Sequence, residues 1–417
     1  MSMSFKVKKI ISSKVFRNGI WLSILQLVNT VIPVLTIPYI TRILGAEQYG
    51  IFSIALNWIL YFQVLVEFGF GLSGARKTAL IENHQELNKL FNNIISSRII
   101  LFIISFLFLN IISILSEFNY QTYICMLLLF IMILGTTFQL TWLFQGKQDM
   151  KFITIINTVS RVISVFLIFI LVKSANDVYL YCVLYSITLF LSSCISMVVA
   201  KKKYNLCFSF SNINDIKNEI NEAKYLFVSA AMTKIFSGFG TTILGIFSTA
   251  YITGIFSAIY KIPYVLTMFF SPISQAIYPY ISTKFKDGFE NGVTFVKKIC
   301  LPIFLLFVLG VFIIIFLREF IVGLLFGSTY VNYSIIIIPL TIQFLFAVIN
   351  NFLGVQILVA SGNQKSYSKS LMIGCIAIII SDILLGYLYD IYGVSIAAAV
   401  GEIILSISLF FNLKKIK

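Results

Sequence analysis

Long apolar runs alternate with short polar connections along the whole chain, and this pattern predicts an all-α protein. A helix needs roughly 20 apolar residues to cross the hydrocarbon core of a bilayer. Runs of about that length fall at residues 20–40, 50–72, 94–115, 121–145, 152–172, 178–199, 225–247, 252–281, 295–317, 334–358, 371–389 and 393–412. We therefore expect a polytopic integral membrane protein with about twelve transmembrane helices.

The longest polar interruption divides these predicted spans into two groups of six. It covers about residues 200–224, is rich in Lys and contains Asn212, Asn214 and Asp215. We interpret residues 208–224 within it as a cytoplasmic linker. This places spans 1–6 in an N-terminal lobe, residues 1–207, and spans 7–12 in a C-terminal lobe, residues 225–417. A second amphipathic stretch, residues 76–93, is expected to lie along the cytoplasmic membrane surface.

Two regions of the second half depart from simple spans. The eighth run carries Pro263, Pro272 and Pro279, which predict a kinked or broken helix because proline has no backbone N–H. Residues 318–333 are ambiguous, and we interpret them as an interfacial loop or half-helix.

A glycine-containing turn joins the first two spans. Gly45 and Gly50 flank a short polar connection, as expected for a tight turn or a close helix approach. The sequence Gly-Ile-Phe-Ser that begins at Gly50 recurs at Gly254, about half a chain later. Paired apolar halves are typical of membrane transporters, so this echo supports, without proving, an internal repeat.

The composition agrees with a membrane protein and also indicates its orientation. The chain is 59% hydrophobic and 11% charged, against roughly 25% charged for soluble domains. In the connections and termini, all Lys and Arg except Arg42, Lys173 and Arg318 fall on one side of the predicted membrane. The positive-inside rule therefore places both termini in the cytoplasm. The net charge of +15 is thus a topology signal, and no nucleic-acid partner is expected.

Several kinds of chemistry are excluded by residues that the sequence lacks. There is one histidine, His84, and no phosphate-binding G-x-x-x-x-G-K-[ST] loop. The six cysteines lie mostly inside apolar runs, as packing residues do. We therefore predict no catalytic residues, no metal site and no cofactor, and no enzymatic activity.

Basic residues inside the predicted spans are the candidate substrate ligands. They are Arg98, Arg161, Lys234 and Lys261. A charge at membrane depth is costly and usually faces a bundle interior or a watery cavity, so we expect them to form a cationic, hydrophilic lumen. Two other interpretations remain open: Arg98 lies near a span end and is equally consistent with snorkelling, and the others are consistent with interhelical ion pairs.

Intramembrane acids supply the partners for such ion pairs, or a coupling site. Glu67, Asp382 and Glu402 are the candidates for proton or sodium coupling. For Asp382 and Glu402, structural pairing is an equal alternative, and Glu67 is consistent with an interfacial cap. Arg42, just before the first turn, is either a snorkelling anchor or a periplasmic gate residue.

With these residues in view, the chain resembles the O-antigen flippases, the Wzx-type lipid-linked oligosaccharide translocases of the multidrug/oligosaccharidyl-lipid/polysaccharide exporter superfamily. The resemblance spans essentially the whole chain, with motifs of moderate specificity. They lie in residues 38–50, 68–71, 253–263 and 356–362.

The resemblance implies a fold and a substrate. The fold is MATE-like, with two six-helix lobes in a V around a central cavity that opens alternately to each side. The substrate is undecaprenyl diphosphate carrying a short oligosaccharide, moved from the cytoplasmic to the periplasmic leaflet of a bacterial inner membrane. The product would pass to the polysaccharide polymerase and chain-length machinery.

Two rivals of the same superfamily and one enzyme class remain. A cation-coupled multidrug antiporter would favour acidic lumen groups, and basic ones are more evident here. A lipid II-type flippase usually carries additional spans. A membrane-bound sugar polymerase or ligase would need a large periplasmic loop with clustered catalytic residues, and the sequence shows none.

The charge bias gives a direct test of orientation. Reporter fusions at Gln48 and Asn212 should behave oppositely, because Gln48 is predicted to be periplasmic and Asn212 cytoplasmic. A periplasmic alkaline phosphatase and a cytoplasmic fluorescent reporter at each site would show this. The same response at both sites would contradict the predicted topology.

Overall fold

The computed structural model describes residues 14–115 and 118–415 of the 417-residue chain. Within these ranges the protein is built from helices and has no strand, so the predicted all-α fold is confirmed. Four of the basic residues used to assign the orientation, Lys6, Lys8, Lys9 and Lys417, lie outside the described residues.

The α-helices of the described residues follow one another with short connections. They are α1 (Lys14–Glu67), α2 (Phe70–Leu80), α3 (His84–Leu115), α4 (Tyr120–Leu129), α5 (Ile131–Phe138), α6 (Thr141–Gly146), α7 (Met150–Leu171), α8 (Val178–Tyr204), α9 (Ile213–Phe247), α10 (Ala250–Ile259), α11 (Lys261–Lys284), α12 (Phe289–Phe316), α13 (Arg318–Phe326), α14 (Ser328–Val331), α15 (Ile337–Asn350) and α16 (Gln364–Lys414). A π-helix, Asn351–Val359, follows α15, and short 3₁₀ turns lie at Ala175–Asp177, Phe285–Asp287 and Ser334–Ile336.

Ten helical stretches in the described residues are long and apolar enough to cross a membrane. Two of them, Arg17–Leu80 and Gln364–Lys414, each cover a pair of predicted spans, so the helix count does not by itself give twelve. Each contains a residue with non-helical backbone angles, Gly45 (φ 72°, ψ 171°) in the first and Asp390 (φ 53°, ψ −131°) in the second. The protein is a multi-pass membrane protein.

Local sequence explains the helix breaks in the second half. The eighth apolar run is interrupted at Tyr260, between α10 and α11. Pro263 has no N–H to bond the carbonyl of Ile259 one turn earlier, which favours a break at that point. Pro272 and Pro279 lie inside α11 without ending it. The ambiguous residues 318–333 form two short helices, α13 and α14.

The chain divides into two units of similar size. Unit 1 contains the described residues up to Thr36 together with Ala55–Lys234. Unit 2 contains Ile37–Ile54 and Ile235 onwards. The division falls inside two helices: the middle of α1 belongs to unit 2, and α9 changes unit after Lys234.

In unit 1, part of the predicted linker is bound along α3. Backbone N–H groups of every second residue donate to side chains spaced four residues apart on the helix. Donors and acceptors are Cys207 to Asn88, Ser209 to Asn92 and Ser211 to Ser96, at 2.9, 3.1 and 3.0 Å. Four helical residues advance about 6 Å and two extended residues about 6.6 Å, so the two spacings match. The rest of residues 208–224 begins α9.

In unit 2, the core of α11, α12 and α15 is aromatic. Phe270 packs edge-on against Phe307 and Phe352, with ring centroids 5.7 and 5.6 Å apart, and Phe307 packs against Phe344 at 5.4 Å. Such edge-to-face contacts add to the stabilisation from buried apolar surface. The π-helix joins this core, because the buried Gln356 donates to the Ser274 carbonyl of α11 at 3.0 Å.

A close helix crossing in unit 2 is made by the two segments that share the sequence Gly-Ile-Phe-Ser, at Gly50 and Gly254. A Cβ atom added at Gly50 would lie 1.7 Å from the Ala250 carbonyl oxygen, and one at Gly254 would lie 1.8 Å from the Ala46 oxygen. Ala250 precedes Gly254 by four residues, and Ala46 precedes Gly50 by four residues. Each glycine therefore contacts the carbonyl at the same position relative to the other glycine. The contacts are equivalent, as expected for an internal repeat packing on itself, and only glycine allows this backbone approach.

Arg42 caps the end of a helix within the same unit. Its Nε donates to the Leu325 carbonyl at 3.1 Å, and its Nη2 donates to the carbonyls of Gly323 and Leu324. These are carbonyls of the last turn of α13, which lack partners within the helix. A cation is also favoured there by the helix dipole. Arg42 therefore has a structural contact that requires the forked guanidinium.

Because the helices approach closely at Gly50 and Gly254, a single methyl group added at either glycine should strongly reduce the stability of the protein. Gly50→Ala and Gly254→Ala should each destabilise the folded protein by about 2 kcal/mol or more, because backbone must move to admit the Cβ. Gly310→Ala in α12 is the matched control, since nothing lies within 4 Å of its Cβ position. The folded amount in membranes and the thermal stability in detergent report the difference. Equal stability of all three variants would contradict the close crossing.

The cap predicts that Arg42→Lys destabilises the protein by about 1 kcal/mol, because an ammonium cannot reproduce the fork. Transport per folded molecule should stay normal. Arg318→Lys at the other end of α13 is the control, as Arg318 pairs with Glu319, which is largely exposed. Thermal stability and export should be measured on the same preparations. A stable Arg42→Lys protein with reduced export would instead assign Arg42 to translocation.

Candidate functional site

Arg161 lies in unit 1 on the face of α7 that contacts α1. Its Nη1 donates to Oδ1 of Asn29. Two turns earlier on α7, the Thr154 hydroxyl donates to the Trp21 carbonyl of α1 at 2.7 Å. These two contacts fix the register of α7 along α1. Thr154 and the half-buried Arg161 therefore lie on the contact face between two membrane helices.

Further polar groups lie one turn from Arg161. Oδ1 of Asn157 accepts hydrogen bonds from Ser192 of α8 at 3.0 Å and from Nε2 of Gln139 at 3.4 Å. Gln139 is in the extended break between α5 and α6. Polar breaks in membrane helices occur where they are buried in protein or line a cavity. Three helices of unit 1, α1, α7 and α8, and the break between α5 and α6 thus contribute to this polar cluster.

Lys234 and Lys261 occupy different units. Lys234, at the end of unit 1, lies 3.2 Å from Oδ1 of Asn57 and 5.5 Å from the Tyr61 ring centroid. Lys261, in unit 2, begins α11 directly after the break at Tyr260, and its ammonium lies 5.5 Å from the Tyr264 ring centroid. Both contacts are in the range of cation–π interactions.

The ion-pair alternative is not what the structure shows for Arg161 and Lys261. Across residues 14–115 and 118–415, no carboxylate oxygen lies within 4 Å of either cationic group, and Glu67, Asp382 and Glu402 appear in no ion pair. The Arg161 contact is to a neutral amide oxygen. Among the described residues, its positive charge is therefore not paired with a carboxylate.

Arg98 has a different role in the fold. It is 3% exposed, and its Nη1 donates to the carbonyls of Thr136 and Gln139 at 3.2 and 2.8 Å. These carbonyls are freed where α5 ends, so Arg98 caps that end just as Arg42 caps α13. Two of the basic residues singled out from the sequence are thus helix caps.

The three acidic candidates differ in their hydrogen-bond partners and in their exposure. Glu402 is buried and accepts from Nδ2 of Asn350 at 2.6 Å. Glu67 is exposed at the end of α1. Asp382 is 1% exposed, and its Oδ1 has no hydrogen-bond partner among the described residues. It lines a cavity of about 20 Å³ together with Gly240, Tyr260 and Gln343.

The asparagine partners were not identified as site residues from the sequence. Asn29 and Asn350 lie on polar faces of apolar runs in the sequence, but neither these faces nor Asn57 indicated a role at a site. Asparagine in a membrane helix is common as interhelical glue, so its type alone gives no signal. No group of three or more His, Cys, Asp or Glu side chains suited to a metal ion occurs among the described residues.

Relatives of the chain are transporters. It is 28% identical over 363 residues to a protein of Escherichia coli (strain K12) provisionally named an O-antigen transporter, covering 85% of this chain and 86% of that one. A Shigella dysenteriae protein with the same provisional name is 27% identical over 412 residues, covering 96% of this chain and 100% of that one. These relatives confirm the prediction that the chain is not an enzyme.

Solved structures share the fold at low sequence identity. The lipid II flippase MurJ, in an inward closed conformation, superposes with a TM-score of 0.70 at 16% identity, over 96% of this chain and 87% of that one. At this identity the likeness concerns the fold alone. A family model described as polysaccharide biosynthesis protein matches residues 15–285. Because the match covers well over half of the sequence, the chain belongs to the polysaccharide biosynthesis protein family.

Proposed function

We propose that the protein flips a lipid-linked polysaccharide precursor across the membrane. In detail, the cargo is an undecaprenyl-diphosphate-linked oligosaccharide, the repeat unit of O-antigen or a related surface polysaccharide, moved from the cytoplasmic to the periplasmic leaflet by alternating access. Family membership and relatives named as O-antigen transporters support this class of function. The observation that carries it is the positive charge of Arg161, held by an amide rather than a carboxylate.

The chemistry of a diphosphate matches this arrangement. A guanidinium inside a membrane protein is costly unless an anion balances it. Arg161 donates one N–H to Asn29, and a guanidinium has five N–H donors, so others remain for phosphate oxygens. Forked Arg–phosphate contacts are strong in a low-dielectric site. We include Lys234 and Lys261 in the same role and leave out Arg98, because it is buried and its Nη1 is bound to two backbone carbonyls.

The glycan would be recognised by neutral polar groups. Asn157 lies one turn from Arg161 on α7 and is linked to Gln139 and Ser192. Amides and hydroxyls can donate to and accept from sugar hydroxyls without supplying charge. This cluster therefore offers sugar contacts close to the proposed diphosphate ligand.

Direction and location are part of the proposal. The bias of Lys and Arg toward one side supports cytoplasmic termini in a bacterial inner membrane. Release into the periplasmic leaflet would supply a polysaccharide polymerase and its chain-length machinery. Both would act on the same lipid-linked glycan.

We propose Asp382 as the ion-coupling residue. Of the three acidic candidates it alone is buried with a carboxylate oxygen that has no partner in the part of the chain that the structure describes. It lies beside a cavity large enough for one water molecule. Glu402 is held by Asn350 and Glu67 is exposed. An intramembrane carboxylate in this setting is suited to binding a proton or a small monovalent cation.

A lipid II-type flippase is the second candidate. The fold shared with the lipid II flippase favours it, and its diphosphate-linked glycan cargo would use the same cation. A multidrug antiporter of the superfamily is less suited, because Arg161 and Lys261 present positive charge that would repel cationic drugs.

The function is tested by deletion of the encoding gene and complementation. Loss of the protein should reduce surface polysaccharide and leave lipid-linked repeat units on the cytoplasmic side. Arg161→Ala should lower export at least about tenfold at normal membrane abundance, because a charge-assisted phosphate contact is lost. Arg161→Lys should retain more export if charge alone matters. Normal glycan in the deletion strain would contradict the proposed substrate.

Coupling is tested in the same strains and in vesicles containing the purified protein. Asp382→Asn should abolish the response of transport to an imposed proton or sodium gradient, and comparing the two gradients identifies the ion. Glu402→Gln is the control and should keep the response, because it can preserve the bond to Asn350. An undiminished response in Asp382→Asn would rule out this residue as the coupling group.

A further inference from the structure

We propose that Asn29 is a positioning residue: it orients the guanidinium of Arg161 without neutralising it, so that the charge is available to a diphosphate. This inference rests on the proposed function. The side chain at position 29 is a neutral amide. A carboxylate of the same shape at this position would form an ion pair with Arg161.

The geometry shows that Asn29 holds Arg161 in a defined orientation. Oδ1 of Asn29 accepts from Nη1 of Arg161, and both side chains are half-buried. The contact of Thr154 with Trp21, two turns away, keeps α7 and α1 in register, so the pair does not depend on side-chain flexibility alone. A guanidinium fixed at one corner has its remaining N–H groups directed along a limited set of orientations, which favours bidentate phosphate binding.

The charge balance shows why the partner is an amide. No carboxylate lies within 4 Å of Arg161 in the part of the chain that the structure describes. A carboxylate in place of the amide would attract the guanidinium strongly in a low-dielectric setting. It would compete with the phosphate for the same N–H groups and cancel the charge that attracts the phosphate. Asparagine gives the hydrogen bond without this competition.

Asparagine side chains also contact other charged groups inside the membrane segments. Lys234 lies 3.2 Å from Oδ1 of Asn57, and the Glu402 carboxylate accepts from Asn350 at 2.6 Å. Asn29 and Asn57 lie in the two arms of α1 on either side of Gly45. An asparagine contacts a charged group in each case.

The test compares Asn29→Asp with Asn29→Ala in the purified full-length chain, with inorganic pyrophosphate as the probe. Pyrophosphate should raise the thermal stability of the unmodified chain, and the dependence on its concentration gives an apparent affinity. Asn29→Asp should weaken this affinity at least about tenfold, to the level of Arg161→Ala, because an internal carboxylate occupies the guanidinium. The pyrophosphate affinity of Asn29→Ala should lie between those of the unmodified chain and Asn29→Asp. In Asn29→Ala the guanidinium keeps its charge and loses only its fixed orientation.

The order of Asn29→Asp and Asn29→Ala in pyrophosphate affinity distinguishes a positioning role of Asn29 from a merely structural one. If Asn29 only joins α1 to α7, Asn29→Ala should be the more damaging change and Asn29→Asp the milder, because an ion pair also joins the helices. Asn110→Asp is the matched control; its amide contacts Phe106 and Tyr123, away from Arg161, and it should leave the pyrophosphate affinity unchanged. An Asn29→Asp protein that binds pyrophosphate as the unmodified chain does would overturn the inference.

Failure of this inference is distinguishable from failure of the proposed function. If the pyrophosphate ranking holds but the deletion strain exports its glycan normally, the anion site stands and the substrate is a different diphosphate or phosphate compound. If the deletion strain loses export while Arg161→Ala and Asn29→Asp bind pyrophosphate normally, the flippase function stands and the positioning role of Asn29 is wrong.

Discussion

A polar group inside hydrocarbon must find its partner within the protein, because no water is present to supply one. Two solutions recur in this structure. Carbonyls freed at helix ends are bound by arginines, with Arg98 on α5 and Arg42 on α13. Charged groups contact asparagine amides, as at Arg161 and Glu402. Helix breaks and internal charges, both costly in a membrane, are therefore tolerated, and they are the features from which a transport site can be built.

This constraint sorts the intramembrane cations into two classes. Arg98 and Arg42 use their guanidinium donors on backbone carbonyls, so their charge serves the fold. Arg161 and Lys261 have no carboxylate within 4 Å among the described residues, and their charge is not balanced locally. An anionic lipid-linked cargo would balance it. Under the proposed function, this division assigns Arg98 and Arg42 to the fold, and Arg161 and Lys261 to contact with the substrate.

Close packing in unit 2 depends on the absence of side chains at Gly50 and Gly254. Each glycine lies against a backbone carbonyl of the other helix, at Ala250 and Ala46. The two contacts are equivalent because the two segments share a sequence and each segment contacts the other in the same way. Such a crossing brings two helix starts together without interlocking side chains.

The sequence by itself determined the helical class, the membrane location and the short list of charged residues, because hydropathy and helix period are local properties that survive in one dimension. It also indicated the turn that Gly45 begins and a kinked or broken helix in the run that contains Pro263, Pro272 and Pro279, where backbone chemistry acts within one turn. It did not distinguish Arg98 from Arg161, since both are arginines in apolar helices. Only the tertiary structure decided that difference: Arg98 meets carbonyls left free by a break about forty residues away, whereas Arg161 meets the amide of Asn29 on α1. Which partner an intramembrane charge finds depends on which helices are neighbours, and that information is absent from any single segment.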